Sequence, residues 1–112
     1  MKVLAPQAVA PTTVSVAPTE TTLATVDVSQ SDRIAIQVEN LDASQTLSLK
    51  LYEKASSTNG YGRSELVLPD VGPLTSSPLL KYQCAGAAAV KVTGTMSGAG
   101  GNARITVRRV NL

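Results

Sequence analysis

From Thr21 onward, apolar and polar residues alternate with a period of two over most of the chain, the pattern of half-buried strands rather than helices. The clearest case is residues 33–39, where Ile34, Ile36 and Val38 take one phase and Arg33, Ala35, Gln37 and Glu39 the other. Leu47, Leu49 and Leu51 repeat it against Ser48, Lys50 and Tyr52, and Ala24, Val26 and Val28 form an earlier run. Val90 and Val92 precede the small-residue turn Ser97-Gly98-Ala99-Gly100-Gly101-Asn102, and Ile105 and Val107 follow it, so this stretch reads as a β-hairpin. Residues 61–68, with Leu66 and Leu68 in phase, and residues 79–84 read as further strands. Residues 69–78 hold Pro69, Gly72, Pro73 and Pro78 and read as a loop crossing between sheets. The sum is an all-β fold, a single-domain β-sandwich of about seven strands. Period-two patterning assigns faces but not strand order, so jelly-roll and immunoglobulin-like topologies both stand.

Residues 1–19 differ in kind. Pro6, Pro11 and Pro18 punctuate a Val/Ala/Thr sequence with one charge, Lys2, and no glycine. Proline fixes φ and biases its predecessor toward extended backbone, which predicts an extended N-terminal arm ahead of a sandwich domain at residues 20–112. Ordering such an arm costs on the order of 15–30 kcal/mol of backbone entropy. Offsetting that by burial takes several hundred Å² of apolar contact at about 25 cal/mol per Å². Val3, Leu4, Val9, Val14 and Val16 supply it only against another surface. The alternatives are a frayed terminus and an arm laid on a neighbouring subunit or partner; the second is carried forward as the expectation. Lys2 and the apolar residues after it suggest a secretory signal, but Pro6 breaks the run well short of the roughly 7–15 residues required. No stretch approaches membrane-spanning length. A soluble product is expected.

Composition narrows the function. The 112 residues include three tyrosines, no Phe and no Trp, so the core must be built from Val, Ile, Leu and Ala, and stability should lean on oligomerisation. A net charge of +2 is too small for a nucleic-acid footprint unless concentrated. Arg104, Arg108 and Arg109 are the one cluster, with Arg104 and Arg108 on the outward phase; a solvated face and a docking contact to an acidic protein surface are the two readings. Cys84 is the sole cysteine and the chain has no histidine, so it reads as a core residue rather than an activated nucleophile. The acidic residues fall in turns or on outward phases, with no metal-loop spacing, and Asp42 reads as a turn former. The Gly98–Gly101 run precedes a strand rather than a helix, which removes it from the phosphate-binding motifs. No enzyme, cofactor, metal, nucleic acid or membrane is expected.

Three segments carry a resemblance: DRIAIQVENLDASQTLSLKLY at 32–52, SELVLPDVGPL at 64–74 and VTGTMSGAGGNARITV at 92–107. Together they resemble small structural proteins from the virion gene clusters of tailed bacteriophages. The resemblance implies a capsid decoration, or cement, protein: a β-rich homo-oligomer, with a trimer favoured, bound to the major capsid protein on the virion surface after assembly in the host cytoplasm. Such proteins often bridge subunits with terminal arms, which assigns partner contacts to Val9, Pro11, Val14 and Val16, with Arg104, Arg108 and Arg109 as secondary contacts. The alternatives are a tail or neck component, and a host-surface glycan-binding module built on Tyr61 and the Gly-rich loop.

Overall fold

The computed structural model describes residues 7–8, 11–29, 31–64 and 66–110. Along the chain lie β1 (Gln7–Ala8), β2 (Thr12–Val16), β3 (Thr21–Asp27), β4 (Arg33–Asn40), β5 (Leu47–Lys54), β6 (Gly62–Arg63), β7 (Leu80–Gln83), β8 (Ala89–Met96) and β9 (Gly101–Val110). They form two antiparallel sheets packed face to face. Sheet A runs β1-β9-β4-β7, with β2 also on β9, and sheet B runs β3-β8-β5-β6. The pairs β2·β9, β3·β8, β4·β7 and β5·β6 are nested, as in one long hairpin rolled up on itself. This resolves the topology as a jelly roll, the double-sheet solution that wraps antiparallel strands around one core.

That order corrects the hairpin expectation. β8 pairs with β3 and β5, whereas β9 pairs with β1, β2 and β4, so the residue 97–100 turn is an arch that carries the chain from one sheet to the other. A turn of small residues permits reversal but does not choose the partner. The loop at residues 69–78 does cross between sheets. Val71 exchanges backbone hydrogen bonds with Leu47 of β5 at 2.8 and 2.9 Å, and Thr75 and Ser77 then bond to Asn40 and Val38 of β4. Of the strand expected at residues 61–68, only Gly62–Arg63 joins a ladder among the described residues, although Leu68 still reaches the core and Leu66 packs against it.

The N-terminal expectation is also corrected. Residues 7–8 and 12–16 are not a free arm ahead of the domain: they pair with β9 of their own chain. Register explains how one extended segment does both. Ala8 opposes Arg108 and Thr12 opposes Ile105, so the arm carries one more residue than β9 between these pairs. Pro11 lies in that interval, at the edge of the sheet, where a missing N–H costs no ladder bond. Val16 is 1% exposed and belongs to the core, and Val14 packs against it. The apolar surface that the valines of β2 required is therefore the sandwich itself.

The inward phases supply an almost wholly aliphatic core: Ile34, Ile36 and Val38 of β4, Leu47, Leu49 and Leu51 of β5, Val90, Val92 and Met96 of β8, and Ala103, Ile105 and Val107 of β9. The run expected at Ala24, Val26 and Val28 needs one adjustment. A bulge between Thr22 and Ala24 turns Leu23 inward and leaves Ala24 half-buried. Gly94 makes room for this, since a Cβ there would lie 3.0 Å from Leu47 Cδ1 and 3.1 Å from Leu23 Cδ1. Tyr82 of sheet A donates its hydroxyl hydrogen bond to Glu53 of sheet B, tying the layers together at one end.

A polar network fastens the other end. Asn40, buried at the end of β4, donates through Nδ2 to the carbonyls of Gln45 at 2.7 Å and Val71 at 3.1 Å, and its Oδ1 accepts Asp42 N–H at 3.0 Å. Asp42 Oδ1 accepts the backbone N–H groups of Ser44 and Gln45, an Asx-type turn. Gln45 then spans to the arch: Oε1 accepts Gly98 N–H at 2.8 Å and Gly100 N–H at 3.0 Å, while Nε2 donates to Gly100 O at 2.7 Å. The arch is thus satisfied by side chains rather than by closing a ladder. Gly100, at φ +110°, is confined to glycine geometry, and a Cβ there would also meet Val16 O at 2.9 Å.

Candidate functional site

Four carboxylates among the described residues serve the fold. Asp42 holds the turn, Asp27 Oδ1 accepts both the N–H and the hydroxyl of Ser29, Glu39 pairs with Arg104, and Glu53 receives Tyr82. The amide donors of Ser44 and Gln45 hold Asp42 below the ordinary aspartate value of 3.8, and Ser29 does the same for Asp27. A carboxylate whose folded pKa is depressed contributes stability above its unfolded pKa and loses that contribution as pH falls through the folded value. Urea midpoints are therefore expected to drop as the pH is taken below 3.8, and Asp42→Asn to flatten that drop. A wild-type and variant pair with parallel pH profiles would contradict it. Among the described residues, no group of three His, Cys, Asp or Glu side chains is placed to hold a metal ion.

The residues assigned to partner contacts do not form one surface. Val9 lies outside the described residues. Pro11 is exposed, Val14 is half-buried and Val16 is withdrawn into the core, so Val16 is corrected from a contact to a packing residue. Arg104 and Arg108 do share the outer face of sheet A, where Arg104 Nη1 lies 3.5 Å from Glu39 Oε1. Arg109 is corrected. It opposes the inward Ile34 across the ladder and directs Nη1 to the backbone oxygen of Asp27 at 3.3 Å, bridging the two sheets at their open edge. A cleft of about 350 Å³ opens there between β3 and β9.

The outer face of sheet B was not singled out from the sequence. Directly opposed residues in a ladder point to the same side. Lys50 opposes Thr93, and Tyr52 opposes both Lys91 and Arg63, so this face gathers Lys50, Tyr52, Arg63, Lys91 and Thr93. Lys54 joins them one step along β5. Tyr61 enters from the loop before β6, with Lys54 Nζ 4.6 Å and Lys91 Nζ 4.8 Å from its ring centroid; Lys91 Nζ also lies 5.0 Å from the Tyr52 ring. Glu20 closes one side. It accepts hydrogen bonds from Tyr52 Oη and from Thr93 Oγ1, the latter at 2.6 Å. The Thr93 and Tyr52 hydroxyls, and then the charges of Lys50 and Lys91, hold the Glu20 carboxyl below its ordinary value; the Glu20 hydrogen bond in turn raises the Tyr52 phenol. Beside Tyr61, a shallow groove of about 460 Å³ is floored by Ala88 and Ala89 and bordered by Asp27, Ser57 and Lys54. The outward phase of Lys50 and Tyr52 was legible, but their meeting with Lys91 and Tyr61 depends on sheet order.

Cys84 sits in the core at 1% exposure, its thiol directed at the Ser31 carbonyl, and burial pushes its pKa up. A thiol so placed is a poor nucleophile. Ellman's reagent is expected to modify the folded protein at least about a hundredfold more slowly than the urea-unfolded chain, the exchange being limited by opening of the fold. Equal rates would place the sulfur at the surface.

No protein-family model matches the chain, and no curated protein is similar to it. Among solved structures, it is similar to a chain from Bacillus endospore appendages, which form a novel family of disulfide-linked pili. The two are 17% identical, with a TM-score of 0.54, and the likeness covers 100% of this chain and 92% of that one. At this identity the likeness is one of fold.

Proposed function

We propose that this chain is a non-enzymatic structural subunit, a jelly-roll module that works by attachment within a larger assembly. The observation that carries this reading is the whole-length fold likeness to a chain from a pilus. The chemistry of the described residues agrees with it: Asp27 and Asp42 are engaged in turns, Glu39 in an ion pair and Glu53 in an inter-sheet tie. Disulfide linkage is a property of those pili; here Cys84 is the sole cysteine of the 112 residues and is buried, so the attachment proposed for this chain does not rest on a disulfide.

In its finer form the proposal is a capsid decoration protein of a tailed bacteriophage, a homotrimer on the major capsid lattice, as the resemblance at residues 32–52, 64–74 and 92–107 implies. Several weak contacts made at once give such a protein its hold, because after the first contact the others form at high effective concentration. The N-terminal strand contributes to the fold of the subunit in this scheme, and attachment falls to its exposed faces.

The test is co-sedimentation with expanded shells assembled from the major capsid protein of the genome that encodes this chain. Saturable pelleting at a fixed ratio to capsid subunits, with a raised shell disruption temperature, is the expected result. Protein that stays in the supernatant at micromolar concentration would overturn the decoration reading.

A further inference from the structure

We propose that the outer face of sheet B is a docking surface for an acidic protein segment, centred on Lys54, Lys91 and Tyr61. Four cations, Lys50, Lys54, Arg63 and Lys91, are brought to this one face by the pairing of β8, β5 and β6, although they are scattered over residues 50–91 in sequence. Lys54 and Lys91 are half-buried, and their ammonium groups are held over tyrosine rings rather than swinging freely. Binding a carboxylate there costs less side-chain ordering than at an isolated surface lysine.

The face already seats one carboxylate of its own chain. Glu20 lies between the hydroxyls of Tyr52 and Thr93, in the field of Lys50 and Lys91. A second carboxylate, from a partner, meets the Lys54 ammonium one step along β5, in the groove beside Tyr61 that Asp27 also borders. The apolar floor of Ala88 and Ala89 accepts the aliphatic stem of a glutamate.

The geometry favours protein over nucleic acid or sugar. Base stacking and sugar stacking both need an open aromatic face, and here two ammonium groups lie within 5 Å of the Tyr61 ring centroid. The outer face of sheet A is the rival surface, with Arg104 and Arg108. Arg104 is already paired with Glu39 there, and the tyrosines stand elsewhere. The sheet B face serves an acidic partner whether or not the chain attaches to shells, so the two proposals fail separately.

The experiment measures binding of the folded protein to fluorescent poly-L-glutamate at low ionic strength, with oligo(dT) and polygalacturonate as competitors. Lys54→Gln combined with Lys91→Gln is expected to weaken polyglutamate binding about tenfold, the loss of two contacts near the upper end for exposed ion pairs. Arg104→Gln combined with Arg108→Gln is expected to weaken it less than about twofold. Wild-type binding is also expected to fall as salt rises toward 0.15 M. Both double variants should unfold at the wild-type urea midpoint, so that any loss is one of contact. Equal losses from the two faces, no polyglutamate binding at all, or tighter binding of oligo(dT) or polygalacturonate would each overturn the proposal.

Discussion

Replacing Ile36 with alanine is expected to lower the unfolding free energy by about 3–4 kcal/mol, in the middle of the range for truncating a buried isoleucine. Ile36 is fully buried, at 0% exposure, in the middle of β4, opposite Val107 on one side and Leu80 on the other. Ladders on both sides fix its backbone, so neighbouring strands cannot slide in to fill the space left by three carbons. The chain has no phenylalanine or tryptophan to swing into the void. Against a total stability of about 5–15 kcal/mol for a domain, this is a large fraction. Leu79→Ala is the matched control: Leu79 is 54% exposed, and its truncation is expected to change stability by less than about 0.5 kcal/mol. Urea unfolding followed by circular dichroism checks both. Similar losses at the two positions would mean that β4 is not central.

Asn40→Ala is expected to cost about 2–3 kcal/mol, for a different reason. The side chain satisfies three backbone groups at the closed end of the sandwich, and alanine replaces none of those bonds. The Val71 carbonyl keeps its bond from Leu47 N–H, so the penalty falls on the Gln45 carbonyl and the Asp42 N–H. Because Gln45 passes the restraint on to the arch, Asn40→Ala and Gln45→Ala are expected to be non-additive, with a coupling of about 0.5 kcal/mol or more. Amide exchange gives the local readout: Gln45→Ala should accelerate exchange at Gly98 and Gly100, whose N–H groups Gln45 Oε1 accepts. Additive losses with unchanged exchange would show that the turn and the arch are independent.

These two positions also show what was legible in the chain. Ile36 belongs to a strict alternation, and the faces of β4 and β5 follow from it residue by residue. Asn40 falls on the same inward phase as Ile34, Ile36 and Val38, yet it looks like the first residue of a turn, since nothing local reveals that its amide will meet Val71. The motif residues Asn40, Asp42 and Gln45 and the glycines at 98–101 are far apart in sequence and form one network in space. The arch reads as a hairpin for the same reason: glycine and serine allow a reversal in either geometry, and the bonds to Gly98 and Gly100 come from Gln45, distant in sequence. At β3, a bulge opposite Thr93 shifted the phase, which alternation alone cannot register.

The candidate surface was less legible still. Arg104, Arg108 and Arg109 stand close in sequence, but adjacent residues of a strand face opposite ways. Arg108 is accordingly exposed, while Arg109 turns toward Asp27. Lys54, Tyr61 and Lys91 converge only because β5 lies between β6 and β8. The valines of the N-terminal segment were expected to find apolar cover on another surface, whereas Val16 finds it under its own sheet.

The central claim is that the chain acts as one of many subunits in a larger particle. Quantitative mass spectrometry across a density gradient of lysate from the producing cells tests this most directly. The expected result is that the chain travels with capsid-sized particles at many copies for each, and leaves them under high salt without reduction of any disulfide. Recovery of all of it at the top of the gradient as a monomer, with none in any particle fraction, would contradict the claim.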